Sequence, residues 1–199
     1  MTSSVASVPD SAFLHAADVP GQIKGMPERL ADGERSLPSF CGAAYDQSDR
    51  LTLRATFRLL YNSPGSPPEA TPKAEIYQDI LVYREAAAGP FMTALRAAVA
   101  GCGSQSDAAG VPVANFLRGE LGAGDESALI EQRRPATDDA GDPLDDGSEQ
   151  SMFWAVARVG DAIAFLAVIG WECSSADFGD TIALGRKAAA RLAAWRASA

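Results

Sequence analysis

SMFWAVARVGDAIAFLAVIGW, residues 151–171, is the stretch whose reading decides the fold. Two apolar runs, 151–158 and 162–171, flank Val159-Gly160-Asp161, and a short Gly-containing turn between runs rich in Val, Ile, Phe and Trp reads as a β-hairpin. Apolar residues outnumber polar ones on both faces of both runs, as a hairpin in the centre of a sheet requires. The second run falls well short of the roughly 18 residues that span a bilayer, so it is read as a buried strand.

Upstream, residues 51–61 (LTLRATFRLLY) alternate clearly, with Leu51, Leu53, Ala55, Phe57, Leu59 and Tyr61 on one face and Thr52, Arg54, Thr56 and Arg58 on the other. Residues 62–72 (NSPGSPPEATP) carry Pro64, Pro67, Pro68 and Pro72 and cannot continue a ladder, so an exposed turn is expected there. Residues 75–83 (EIYQDILVY) make a second strand, and Gly89-Pro90 opens a helix through Val99 with Phe91, Leu95, Ala98 and Val99 as its apolar stripe. Residues 113–117 and 128–133 read as further strands. Residues 138–149 (DDAGDPLDDGSE) read as an acidic loop, and residues 178–196 as a closing helix with Leu184, Ala188, Leu192 and Trp195 on one face.

At the N-terminal end, residues 1–9 have neither the basic region nor the apolar region of a secretory signal and are expected to be a flexible leader. Asp10 followed by SAFLHAA (11–17) suits a short capped helix stopped by Pro20 and Gly21, and a Gly- and Pro-containing loop is expected from there to about Phe40. The whole pattern predicts a single α+β domain over 10–197, a mainly antiparallel β-sheet with helices packed on one face. The 199 residues, 47% hydrophobic, suffice for one good core, and the net charge of -9 repels nucleic-acid phosphates and anionic membranes.

Signatures of chemistry are sparse. His15 is the lone histidine, and there is no Gly-x-Ser-x-Gly elbow, phosphate-binding Gly-x-x-x-x-Gly-Lys loop or His-Glu-x-x-His pair. Cys41, Cys102 and Cys173 are too few and too scattered for a zinc site, and no cofactor is expected. Asp138, Asp139, Asp145 and Asp146 lack the spacing of a calcium loop and read as a solvated surface. Glu75, Asp79 and Glu131 fall in or beside strands, where a carboxylate facing a cleft can act as acid or base. Tyr77, Tyr83, Trp154 and Trp171 are residues of the kind that wall a ligand pocket, and Trp154 suits the core equally well. Cys41, in a Phe-Cys-Gly turn, and Cys102, in a Gly-Cys-Gly turn, both stand just outside regular elements; an odd cysteine count leaves one thiol over if two are paired, and nothing basic adjoins Cys173 to activate it.

The order of these features resembles a known family. The segment ending Asp18-Val19-Pro20-Gly21, Cys41 before an Arg-containing strand, and the strand 75–83 leading into a helix with Leu95-Arg96 closed by Cys102 come first. The stretch 121–127 (LGAGDES), the hairpin with Arg158-Val159-Gly160-Asp161 and the Ala-rich last helix complete the order. Together, from about Phe13 to Trp195, they resemble the actinobacterial PknH-like sensor domains, many of which are lipoproteins.

That resemblance implies an antiparallel sheet with flanking helices, a cleft for a small ligand, a Cys41–Cys102 disulfide and a location outside the cytoplasmic membrane. A cytoplasmic relative is the alternative location, and membrane attachment would come only through an N-terminal signal or anchor. Candidate ligand-binding residues are Glu75, Tyr77, Glu131, Trp154 and Arg158. The expected function is a non-catalytic sensor or small-ligand-binding domain. The alternative is a cofactor-free isomerase or cyclase using one carboxylate from Glu75, Asp79 or Glu131, and a third reading, a protein-interaction module, calls for an exposed apolar patch.

Overall fold

A computed structural model describes residues 7–31, 33–107, 109–138, 142–172 and 174–198. Most of the expected leader, Asp139 of the acidic loop and Cys173 lie outside the described residues. Eight strands form one sheet: β1 (Ile23–Leu30), β2 (Leu51–Tyr61), β3 (Ala74–Tyr83), β4 (Ser104–Ser106), β5 (Pro112–Gly119), β6 (Glu126–Pro135), β7 (Glu149–Val159) and β8 (Ala162–Gly170). The helices are α1 (Ala88–Gly101) and α2 (Phe178–Ser198). The strand order is β1-β2-β3-β8-β7-β6-β5-β4, and every pairing is antiparallel.

The β7–β8 hairpin therefore occupies the middle of the sheet, turned by Gly160 at φ 60°. Because successive strand residues point to opposite faces, its apolar runs supply two cores at once. Ala162, Ala164, Leu166 and Val168 pack with Leu184, Ala188, Leu192 and Trp195 of α2. Ile163, Phe165 and Ala167 pack with Phe91, Leu95 and Val99 of α1. The α+β antiparallel class is as expected, but the helices lie on opposite faces, not on one. The physical reason is the hairpin itself: a strand pair apolar on both faces leaves half of its apolar surface in water unless each face receives a helix.

Two local expectations also change. Residues 11–17 do not form an α-helix; a 3-10 turn covers Asp10–Ala12, and Phe13 leaves it extended at φ -94°, ψ 167°. Phe13 and Leu14 are adjacent and both buried, an arrangement that one helical face accommodates poorly but an extended segment allows. Phe13 stacks on Phe57 at 5.0 Å, and the Leu14 N–H donates to Gln78 Oε1 at 2.9 Å. Asp10 caps nothing; its carboxylate accepts from Arg29 Nη2 at 2.7 Å.

The expected loop before Phe40 contains β1. Gly25 and Pro27 weaken its signal, yet both are tolerated because β1 is an edge strand whose register shifts between Lys24 and Glu28. The short β4 forms the other edge.

Candidate functional site

Strand parity assigns the polar residues to faces. Leu81 and Tyr83 lie in the α1 core, so Glu75, Tyr77 and Asp79 of β3 share that face. The β2–β3 register sets Thr56 opposite Asp79 and Arg58 opposite Tyr77. Each carboxylate of this face thereby meets an arginine from the neighbouring strand. Asp79, 1% exposed, accepts from Arg54 Nε at 3.0 Å, Arg54 Nη2 at 2.7 Å and Thr56 Oγ1 at 2.6 Å. Glu75 accepts from Arg58 Nε at 2.5 Å, and the same guanidinium reaches Glu28 at 3.5 Å. Ile169 of β8, Met152 and Trp154 of β7, and Gln132 of β6 continue the face across the sheet.

The helix covers only part of that face; the rest is walled by the segment 33–46. Three devices hold this segment. A disulfide joins Cys41 to Cys102, with Cα atoms 5.6 Å apart. Gln105 accepts from the Cys41 N–H at 2.7 Å and donates to the Ser39 carbonyl at 2.8 Å. Aromatic contacts complete the hold: Phe40 sits edge-on to Trp154 at 6.0 Å, and Tyr45 packs on Phe91 at 5.6 Å. The Tyr45 hydroxyl donates to the Pro38 carbonyl at 2.5 Å and the Tyr83 hydroxyl to the Asp46 carbonyl at 2.7 Å. Burial, reinforced by the nearby Asp46 charge, raises the pKa of both tyrosines, which therefore stay neutral donors.

Between this segment and the strands lies a depression of about 600 Å³, bordered by Arg35, Pro38, Gln105, Met152, Trp154 and Ile169. A second of about 430 Å³ shares Arg35 and Ile169 with it and extends to Tyr77 and Arg58. A third of about 200 Å³ shares Gln132, Met152 and Ile169 and reaches Arg134 and Gln150. Shared walls make these one groove running over β3, β8, β7 and β6. A further depression of about 370 Å³ borders the same segment at Tyr45, Arg54 and Tyr83.

Arg35 stands where the two larger depressions join. Its guanidinium lies 4.1 Å from the Tyr77 ring centroid, and its Nη1 is buried without an acceptor. Burial lowers the pKa of this group, and the opposing pull of Asp79 does not cancel it. Trp154, 4% exposed, also borders the groove with its Nε1 buried and unpaired.

Of the residues singled out from the sequence, Tyr77 and Trp154 line the groove, and Glu75 stands beside Tyr77 through its partner Arg58. Arg158 shares their face but lies at the opposite end of the sheet, where it bonds Glu126 at 2.8 Å and Asp125 at 3.3 Å. Glu131 lies on the α2 face. It accepts from Arg118, from Arg133 at 2.6 Å and from Ser151 at 2.8 Å. Burial would raise its pKa, but the hydrogen bonds from Arg133, Ser151 and Arg118 outweigh that and hold it below the usual carboxylate range. Tyr83 is core and Trp171 half-buried, while His15 is exposed. Arg35, Gln105, Gln132, Met152 and Ile169 were not among the expected groove residues. The one signal near any of them is the pair of cysteine turns, which tie the segment carrying Arg35 to the one carrying Gln105 without singling out either residue; nothing in the pattern marked Gln132, Met152 or Ile169.

No protein-family model matches the chain, and no curated protein matches it in sequence. Among solved structures, the crystal structure of the extracellular domain of PknH from Mycobacterium tuberculosis is similar, with a TM-score of 0.56 and 13% sequence identity over 95% of this chain and 94% of that one. At this identity the similarity is one of fold.

Proposed function

We propose that this chain is a non-catalytic sensor or small-ligand-binding domain working outside the cytoplasmic membrane. The observation that carries the reading is the groove over β3, β8, β7 and β6, walled by a segment that a disulfide and Gln105 pin in place. Concave sites of several hundred Å³ with apolar floors and a few placed polar groups are the usual receptors of small molecules. The carboxylates that an isomerase or cyclase would need, Glu75, Asp79 and Glu131, are each occupied by one or two guanidinium groups. A carboxylate so held serves poorly as a proton carrier. A disulfide persists in oxidising compartments, and the solved structure of similar fold is an extracellular domain, so a location at the cell surface or in the envelope follows from the same reading.

The test is a small-molecule screen by ¹H–¹⁵N NMR on oxidised protein, drawing on cell-wall and lipid fragments. Ligands should shift the amides of residues 35–42 together with those of Tyr77, Trp154 and Ile169. Hits that cluster on the α2 face, or measurable conversion of any compound, would sink the reading.

A further inference from the structure

Three arginines at the β2–β3 end of this face, Arg35, Arg54 and Arg58, are not equivalent. Arg54 and Arg58 come from β2 and are neutralised by Asp79 and Glu75 of β3, a consequence of cross-strand register. Arg35 comes from the walling segment and meets a tyrosine ring where the other two meet carboxylates. In a chain with a net charge of -9, a half-buried guanidinium whose Nη1 has no acceptor stands out. Carboxylates are plentiful in this chain, yet among the described residues none forms an ion pair with Arg35. Stacking on Tyr77 engages the guanidinium plane and leaves its edge, where the N–H groups lie, to receive an acceptor.

The second orphan donor is the buried Nε1 of Trp154, a residue that lines the same depression. A buried N–H without an acceptor costs about 1–3 kcal/mol relative to a satisfied one, so two of them on residues that line one hollow favour an occupant rich in acceptors. Met152, Ile169 and Val113 make the apolar part of the lining, with Gln132 and Gln105 at its sides; one carboxylate, Asp107, also lines it, and its Oδ1 already accepts from the Ala109 and Val111 N–H groups at 2.9 Å.

Building on the ligand-binding reading above, we propose that the groove receives a small amphiphile with an oxyanion head, a carboxylate or a phosphate monoester. Arg35 grips the head with its guanidinium edge, and the apolar body lies along Met152, Trp154 and Ile169. The fork of an arginine matches the oxygen pair of either head group, which a lysine would not. The size of the hollow, about 600 Å³, falls in the range of small-molecule sites.

The experiment titrates oxidised protein with sodium octanoate, mono-octyl phosphate and 1-octanol. The readout is the indole N–H resonances of the three tryptophans, with that of Trp154 assigned through Trp154→Phe. The Trp154 resonance should move with octanoate or octyl phosphate at concentrations at least about tenfold below those needed for octanol. Whichever acid binds more tightly names the head group. Arg35→Gln should weaken the acids about tenfold or more and leave octanol unchanged. Arg35→Lys, which keeps the charge but loses the fork, should fall between, and the amide spectrum of each variant reports that it is folded.

Equal binding of the acids and octanol, or acid binding indifferent to Arg35→Gln, would overturn the oxyanion assignment while leaving the ligand-binding groove standing. If none of the three moves the Trp154 indole, the amphiphile assignment falls; the small-ligand reading falls with it only if the fragment screen also leaves residues 35–42, Tyr77 and Ile169 unshifted.

Discussion

Glu131 illustrates how two residues of the same kind acquire different duties. From the sequence it is one of three strand carboxylates, indistinguishable from Glu75; in the fold it is buried on the α2 face with Arg118, Arg133 and Ser151 around it. Its folded pKa is depressed, so its contribution to stability is present above the ordinary value of 4.5 and is lost as pH falls through the lower folded value. Glu131→Gln should therefore cost about 2 kcal/mol at neutral pH, and the gap from the parent should narrow as pH falls below 4.5. Urea denaturation at pH 7, 5 and 3.5 measures it; a gap that stays constant over this range would contradict the role. The face of Glu131 was not legible beforehand because residues 127–131 are buried without interruption, so alternation, the only local guide to facing, is silent there. Trp154 had the same ambiguity. Arg35 was invisible for another reason: it belongs to an irregular segment, and no periodicity relates an irregular segment to the sheet it will cover.

At the scale of elements, legibility follows how strongly a segment is covered. β2 was read to its ends, since one face is apolar and the other carries Arg54, Thr56 and Arg58. The α2 stripe was read correctly, because Leu184, Ala188, Leu192 and Trp195 keep helical spacing and all four are buried. β1 was missed, because an edge strand needs neither continuous apolar residues nor every N–H, and Gly25 and Pro27 exploit both allowances. What the stripe could not convey is how closely α2 approaches the sheet. A Cβ added to Gly185 would lie 2.6 Å from the Ala155 Cβ and 3.0 Å from Leu121 Cδ1. Ala155 sits in the centre of β7 and cannot retreat without disturbing the hairpin. Although alanine has the better helix propensity by about 1 kcal/mol, the contact should win: Gly185→Ala is expected to destabilise by about 1–3 kcal/mol, and Gly185→Leu by more. Thermal unfolding of the two variants checks the order. A stabilised Gly185→Ala would mean that α2 stands farther from β7.

The whole molecule is a sheet with two unlike faces, and the proposed function rests on the difference. On the α2 face the helix, the N-terminal segment and the sheet close a continuous core that contains none of residues 33–46. The α1 face is completed by those residues, through Phe40 and Tyr45, and that is the face with the groove. The class of fold was readable because the central hairpin demands cover on both sides; the groove was not, because it depends on where a loop of no regular structure is stapled. Breaking the staple should therefore act unevenly. Cysteines 61 residues apart close a long loop, and removing the bond is expected to cost about 2–5 kcal/mol of global stability. In the protein that remains folded, the loss should concentrate on one face. Double substitution Cys41→Ser with Cys102→Ser should speed amide exchange through residues 33–46, where Gln105, the two aromatic anchors, the Tyr83–Asp46 hydrogen bond and the Arg35–Tyr77 contact would be left to hold the chain. Exchange in β8 and along the buried side of α2 should rise only by the amount the global loss dictates. Ligands of the groove should lose affinity in the double variant even at temperatures where it is fully folded, since the wall that carries Arg35 would have to be ordered anew on each binding event. Exchange that accelerates equally on both faces, with ligand affinity intact, would instead make the disulfide a general brace and leave the groove indifferent to it.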